Sequence, residues 1–406
     1  MIADLQLALR SVVRQPRRSL TSVAAVSFGI AALMLASGFI GWILVEMRES
    51  TIRVHLGHIQ IVRPGFHDAG KADPNRYLLP AGGAALDAVS AIAGVRDVAP
   101  RLSFSGLASH GESTLSFIGE AVDPAHEGEL SQSLEIVQGA PLAADDVNGA
   151  LFGAGLARSL GVVPGDRVVL LVTTPTGGVN ALEVSVRGLF STVTKAYDDS
   201  ALRLTLDAAR GLLRVRGAHT WLVLLDDTRR TDAVVARLSE VLPAKQFQAV
   251  PWYALADFYN KTVTLFANQV RVMWVIIAVI IVLSITNTMM MSVMERTWEI
   301  GTAMALGDAR RVVMRRFLLE GAILGLVGGA LGLLAGWLLA SWVSAVGIPM
   351  PAPPGMAHGY IARILITPSL AAEALALAVV ATVAASVYPA WRASRLDIVD
   401  ALRHNH

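Results

Sequence analysis

The stretch SLTSVAAVSFGIAALMLASGFIGWILV, Ser19–Val45, holds no charged residue and is bounded by Arg18 and Glu46. Roughly 20 apolar residues, at 1.5 Å each in a helix, cross a hydrocarbon core about 30 Å thick. Working outward, three more apolar runs appear, at Val272–Val293, Gly321–Val346 and Leu370–Val387, after a gap of over two hundred residues. The last contains Glu373, so it spans only with that carboxylate at the interface. The pattern predicts an α-helical membrane protein with four transmembrane helices, one and then three. A large α+β extracytoplasmic domain is inserted between helices 1 and 2.

The predicted division is a cytoplasmic amphipathic segment at 1–18, a first span at 19–45, the inserted domain at 46–266 and a second span at 267–294. A cytoplasmic segment at 295–316, a third span at 317–346, an external loop at 347–368, a fourth span at 369–391 and a cytoplasmic tail at 392–406 complete it.

Arginines orient the spans. Arg10, Arg14, Arg17 and Arg18 precede the first, Arg296, Arg310, Arg311, Arg315 and Arg316 separate the second from the third, and Arg392, Arg395 and Arg403 follow the fourth. The short loop between spans three and four carries only Arg363. Basic residues in short flanks mark the cytoplasmic side. Both termini are therefore expected inside, with the inserted domain outside, in a bacterial inner membrane. The first run is too long for a signal peptide's apolar core and reads as an uncleaved anchor.

Composition narrows the function. The 406 residues are 54% hydrophobic, with a net charge of +2 and a mean hydropathy of +0.54. No basic stripe with interleaved aromatics supports nucleic-acid binding. The absence of cysteine excludes disulfides, Cys-ligated zinc and thiol catalysis. The histidines form no H-E-x-x-H set, and Ser103, Ser105 and Ser109 beside His110 lack the G-x-S-x-G of a nucleophile elbow. Gly65, Gly70 and Lys71 have P-loop spacing, but Ala72 lacks the magnesium-binding hydroxyl and Pro74 interrupts the helix that should follow.

Inside the inserted domain, His58–Val62, Leu102–Ser109, Thr114–Val122, Arg167–Thr173, Ala181–Phe190 and Trp221–Leu225 read as strands. Ala154–Leu160, Asp207–Leu213 and Thr231–Leu242 read as helices. A β-rich stretch near 125–200 inserted into an α+β lobe would give two lobes. Pro251–Gln269, with Trp252, Phe258 and Tyr259, reads as a helix running on into the second span.

After the second span comes Glu295-Arg296-Thr297-Trp298-Glu299-Ile300-Gly301-Thr302-Ala303-Met304-Ala305-Leu306-Gly307-Asp308. It reads as a short helix with an apolar side at Ile300, Ala303, Met304 and Leu306, a charged side at Glu295, Arg296 and Glu299, and Gly307 as the cap. In the third span Gly321 and Gly325, then Gly328, Gly332 and Gly336, recur every fourth residue. Such rows let helix backbones pack closely in lipid. Whether they meet the same chain or a partner is open at this level.

The 295–308 stretch resembles the cytoplasmic coupling segment of the MacB/FtsX superfamily of ABC-transporter permeases, Glu-Arg-x-x-Glu-Ile-Gly-x-x-x-Ala-Leu-Gly-Ala. It matches at Glu295, Arg296, Glu299, Ile300, Gly301, Ala305, Leu306 and Gly307, and departs at Trp298, where arginine is frequent, and at Asp308. The tail from Tyr388-Pro389-Ala390 to Ala401-Leu402-Arg403 is similar to the family's ending, with Ile398 where proline is common.

The resemblance implies a non-catalytic permease subunit, most like the lipoprotein-releasing type, dimeric with a second copy or a paralogue. It implies a separate cytoplasmic ABC ATPase dimer that binds ATP and Mg²⁺, contact with membrane lipid, and a periplasmic carrier or adaptor. On that reading Glu295, Arg296 and Glu299 face the ATPase, and Ile300, Met304 and Leu306 fill its groove. Efflux, control of an external partner, and a receptor or scaffold without an ATPase are the alternatives.

Overall fold

The computed structural model describes residues 14, 16–70, 73–126, 134–192, 195–350 and 360–397. The expected amphipathic segment before residue 14, Lys71 and Ala72, and the tail beyond 397 lie outside the described residues. The chain divides into two compact units, one comprising residues 46–261 with 350–360, the other the remaining segments.

Helix α1, Pro16–Thr51, outruns the apolar stretch at both ends, because nothing between Pro16 and Thr51 breaks a helix. A π-type turn, Ile52–Leu56, follows and is closed by the Gly57 amide on the Ile52 carbonyl at 2.7 Å. Gly57 has φ +63, and a Cβ there would press on Leu222 and the Val223 carbonyl. Only glycine suits that corner.

In chain order the inserted unit then contains β1 (Ile59–Val62), α2 (Ala84–Ser90), β2 (Val95–His110), β3 (Ser113–Val122), β4 (Glu135–Gly139), β5 (Gly149–Gly153) and α3 (Ala154–Leu160). There follow β6 (Arg167–Thr173), β7 (Val179–Ser191), β8 (Ala201–Thr205), α4 (Leu206–Leu213), β9 (Thr220–Leu225), α5 (Thr231–Val241) and β10 (Gln248–Pro251).

Strands β10, β1, β9 and the first half of β2 form an antiparallel sheet. Its core joins Ile59, Ile61, Val98, Trp221 and Val223 to Val89 of α2 and to Val234 and Leu238 of α5. Strand β9 is buried on both faces: Trp221, Val223 and Leu225 enter this core, while Leu222 and Leu224 meet Ala99 behind it. That follows from the two-residue period of a strand.

The second half of β2 pairs β3, and the pairing continues through β8, β5, β7 and β6 back to β2. The six strands close a barrel, with β4 added on β7. In β6, Val168, Leu170 and Val172 point inward to Phe117, Phe152, Val184 and Leu202, while Arg167, Val169 and Thr173 point out.

The barrel therefore starts at Leu102 rather than near residue 125. The crossing follows Pro100 and Arg101 within one continuous strand, so pattern alone could not show that the two halves of β2 join different sheets. Strands β5 and β8 escaped the sequence reading because both are short and buried at every position, leaving no alternation to see.

The expected helix from Pro251 is interrupted. Trp252–Leu255 makes one turn, Ala256 leaves helical geometry at φ −90 and ψ 54, and α6 begins at Asp257 and runs to Glu295. Then come α7 (Thr297–Ala305), α8 (Arg310–Val346) and α9 (Pro368–Ser394). Helices α1, α6, α8 and α9 are all long and apolar enough to cross a membrane.

The core of this second unit joins Val26, Ile30 and Met34 of α1 to Ile281 and Ile285 of α6, Leu324 of α8, and Ala374, Ala378 and Ala385 of α9. The two glycine registers of α8 serve two different neighbours in the same chain. A Cβ at Gly321 or Gly325 would strike Ser386 or Thr382 of α9, whereas one at Gly328, Gly332 or Gly336 would press on Val26, on Ser27 and Ile30, or on Met34 of α1. The close approach brings the Ser27 hydroxyl within 2.8 Å of the Gly328 carbonyl, to which it donates.

Candidate coupling site

Helix α7 sits between the ends of α6 and α8 and is defined by its caps. At its C-terminus the Asp308 amide bonds the Ala303 carbonyl at 3.0 Å and the Gly307 amide bonds the Met304 carbonyl at 3.1 Å. With Gly307 at φ +109, this is the Schellman arrangement expected from the sequence. The Asp308 side chain then accepts from Arg316 of α8 at 2.6 Å. Asp308, where the superfamily pattern has alanine, thus ties the turn to the helix that follows.

The charged residues divide between the chain itself and the surface. Glu295 is paired with Arg18 of α1. Arg296 lies 3.3 Å from Glu299 and 3.4 Å from Glu320 of α8, and its guanidinium stands 5.9 Å from the Phe317 ring centre. Glu320, nearly buried in α8, thus has a cation beside it. Glu299 is the most exposed of the three named acids and bases of the segment.

The apolar face differs from the expected one. Ile300 and Gly301 are buried, and Ile300 joins the core of the helix unit with Val313 and Phe317 while Met304 packs against the same cluster. Ile300, and Met304 in part, therefore fasten α7 to its own chain. A helix this short needs such packing to persist. The apolar surface left facing outward is Leu306, 85% exposed, and Trp298, 50% exposed, beside exposed Ala305 and Glu299. The signal for Trp298 was present in the sequence, as a large apolar residue where arginine is frequent. The role of Arg18 was not, because its contact with Glu295 is made across 277 positions.

The MacB-like periplasmic core domain family matches residues 19–241, more than half of the chain, and the FtsX-like permease C-terminal family matches residues 271–398. The chain belongs to the MacB/FtsX superfamily of ABC-transporter permeases.

Within the superfamily it is similar to the macrolide export ATP-binding/permease protein MacB of Syntrophobacter fumaroxidans, 32% identical over 45% of this chain and 25% of that one. It is also similar to the lipoprotein-releasing system transmembrane protein LolC of Neisseria meningitidis, 29% identical over 63% of this chain and 64% of that one. The chain thus spans less than two thirds of either relative. The solved periplasmic region of MacB from Actinobacillus actinomycetemcomitans aligns with 53% of the chain at 14% identity and a TM-score of 0.38.

Proposed function

We propose that this protein is the membrane subunit of an ABC complex in which a separate ATPase, binding ATP and Mg²⁺, drives movement of the inserted domain through α7 and α6. The supporting observation is the two-sided character of α7. Ile300 and Met304 lock it into the helix unit, while Trp298, Glu299 and Leu306 stay available to another protein. A force on such a helix passes to α6 and α8 instead of being lost in a loose loop. Because ABC ATPases bind ATP between two subunits, the complex needs two such helices, supplied by a second copy or a paralogue.

In this reading α7 is cytoplasmic and the inserted domain external, as the arginine distribution requires. Thiol labelling of intact spheroplasts checks the orientation, since the native chain has no cysteine. Val179→Cys, on an exposed hairpin tip, should react with an impermeant reagent and Ala309→Cys should not. The reverse pattern defeats the topology.

The substrate class is a lipid-anchored or amphiphilic molecule taken from the outer leaflet and passed to a periplasmic carrier, by analogy with the LolC relative. The match to MacB favours a second reading, efflux through a periplasmic adaptor. Crosslinking and purification of the tagged chain from its native membrane separates them: a soluble lipid-binding carrier supports release, and a membrane-fusion adaptor supports efflux. Recovery with no ATPase at all rejects both.

A further inference from the structure

His58 stands where β1 begins, 6% exposed, and is bonded on every side. Its backbone amide donates to the Val223 carbonyl at 2.9 Å, and its carbonyl accepts from the Trp252 amide at 3.0 Å. The Leu225 amide donates to imidazole Nδ1 at 3.1 Å. That donor fixes the tautomer: Nδ1 must accept, so the neutral ring carries its proton on Nε2. Nε2 then donates to the Thr228 hydroxyl, 3.1 Å away. The hydroxyl proton is left to point at Glu49 in the last turns of α1, at 3.5 Å, a long contact to which the carboxylate's charge adds attraction. Arg48 at 2.9 Å and Arg53 at 3.6 Å pair with the same carboxylate.

We infer that Leu225, His58, Thr228 and Glu49 form a directional hydrogen-bond relay that fastens the end of α1 to the central strand of the first lobe, with the π-type turn as the joint it governs. Beside the relay, Ile52 and Leu56 pack on Trp252, Ala256 and Tyr259, so both chain segments that lead into this unit meet at the same place. The turn has the wide i→i+5 geometry of a π turn, closed by the Gly57 amide on the Ile52 carbonyl, a form found frequently at functional sites. His58 and Thr228 are positioning residues: they decide whether a displacement of α1 reaches β9 or is absorbed in the turn. That consequence rests on the proposed function; the relay itself does not.

The test uses hydrogen exchange of the full chain in nanodiscs, with Thr228→Val, of nearly equal shape, and Thr228→Ser, which keeps the hydroxyl. In Thr228→Val, amides of residues 46–57 should exchange roughly tenfold faster, the equivalent of one lost hydrogen bond to a charged group. Exchange in residues 95–122 should stay as in the parent. Thr228→Ser should restore the parent rate. Unchanged exchange at 46–57 in Thr228→Val, or a global rise across the unit, overturns the relay. Neither result depends on an ATPase, so this failure is distinct from failure of the permease reading. In a complex with its ATPase, Thr228→Val should hydrolyse ATP at the parent rate while crosslinks between external domains lose their nucleotide dependence.

Discussion

The Thr286 hydroxyl of α6 donates to the Ala385 carbonyl of α9 at 3.0 Å, and Ala385 is the residue four positions before Pro389, which lies inside α9. Proline has no amide to offer that carbonyl. In hydrocarbon no water can take the place of the missing donor, so a neighbouring helix must. A hydroxyl on α6 thus makes a proline tolerable in α9.

The first prediction follows as a double-mutant cycle. Thr286→Val should lower the stability of the detergent-solubilised protein by about 0.6–1.7 kcal/mol, the range of interhelical hydrogen bonds in membranes. In a Pro389→Ala background, where the helix supplies its own donor, the same change should be nearly neutral. Equal losses in both backgrounds, read as thermal midpoints, would show that the hydroxyl does not serve this carbonyl.

The second prediction separates the two faces of α7. Ile300→Ala should cost about 2–5 kcal/mol of stability, because it empties a packed site. Leu306→Ala should leave stability within about 0.5 kcal/mol yet weaken ATPase copurification, since burying a leucine at an interface is worth about 1.5–3 kcal/mol. Thermal melts and pull-downs on the same preparations decide; strong ATPase binding by both Leu306→Ala and Glu299→Ala counts against the site.

The third concerns the barrel's outer wall, where Glu120 on β3 lies 2.6 Å from Arg101 and 2.9 Å from Arg203, both only 2% exposed. The Tyr197 hydroxyl donates to the same carboxylate at 3.2 Å. Burial and the Glu120 charge push the phenol up to about 12. Removing one partner of such a set leaves buried charge uncompensated, so Glu120→Gln should destabilise the protein by about 3–5 kcal/mol. Glu183→Gln, whose partner Arg167 is mostly exposed, should cost under about 1 kcal/mol. Denaturant titration that ranks them in the opposite order refutes this account.

The fourth prediction is a pH dependence. Burial lowers both His58 and His219 to about 4 from 6.5, and the Ser103 amide holds His219 Nδ1 as an acceptor at 3.1 Å. Between those values the unfolded chain binds protons that the folded domain refuses. Stability is therefore complete above about pH 6.5, declines as pH falls toward 4, and has lost this contribution below it. Each group adds up to about 1.4 kcal/mol per pH unit within the window. Melts at pH 7 and pH 5 should differ in that direction, and His219→Gln should flatten the dependence. A midpoint that rises on acidification would contradict both assignments.

What the sequence determined by itself is the part governed by local solvent preference. Charge-free runs long enough to cross a bilayer must be membrane helices, and Gly307 is suited to end a helix because glycine takes positive φ, here +109, at little cost. Rows of glycine in α8 likewise announced close packing, but not against what; only the assembled helices show Gly321 and Gly325 meeting α9 and Gly328, Gly332 and Gly336 meeting α1. The same limit bears on α7. Helical periodicity puts Ile300 and Met304 on one face, while Leu306 lies past the last helical residue and stays exposed; that Val313 and Phe317 cover the first face is decided only when α8 folds back. Pairings such as Arg18 with Glu295, Thr286 with Ala385, and His58 with Leu225 join residues roughly a hundred to nearly three hundred positions apart. Distances of that kind are set by packing of whole elements, and no local pattern encodes them.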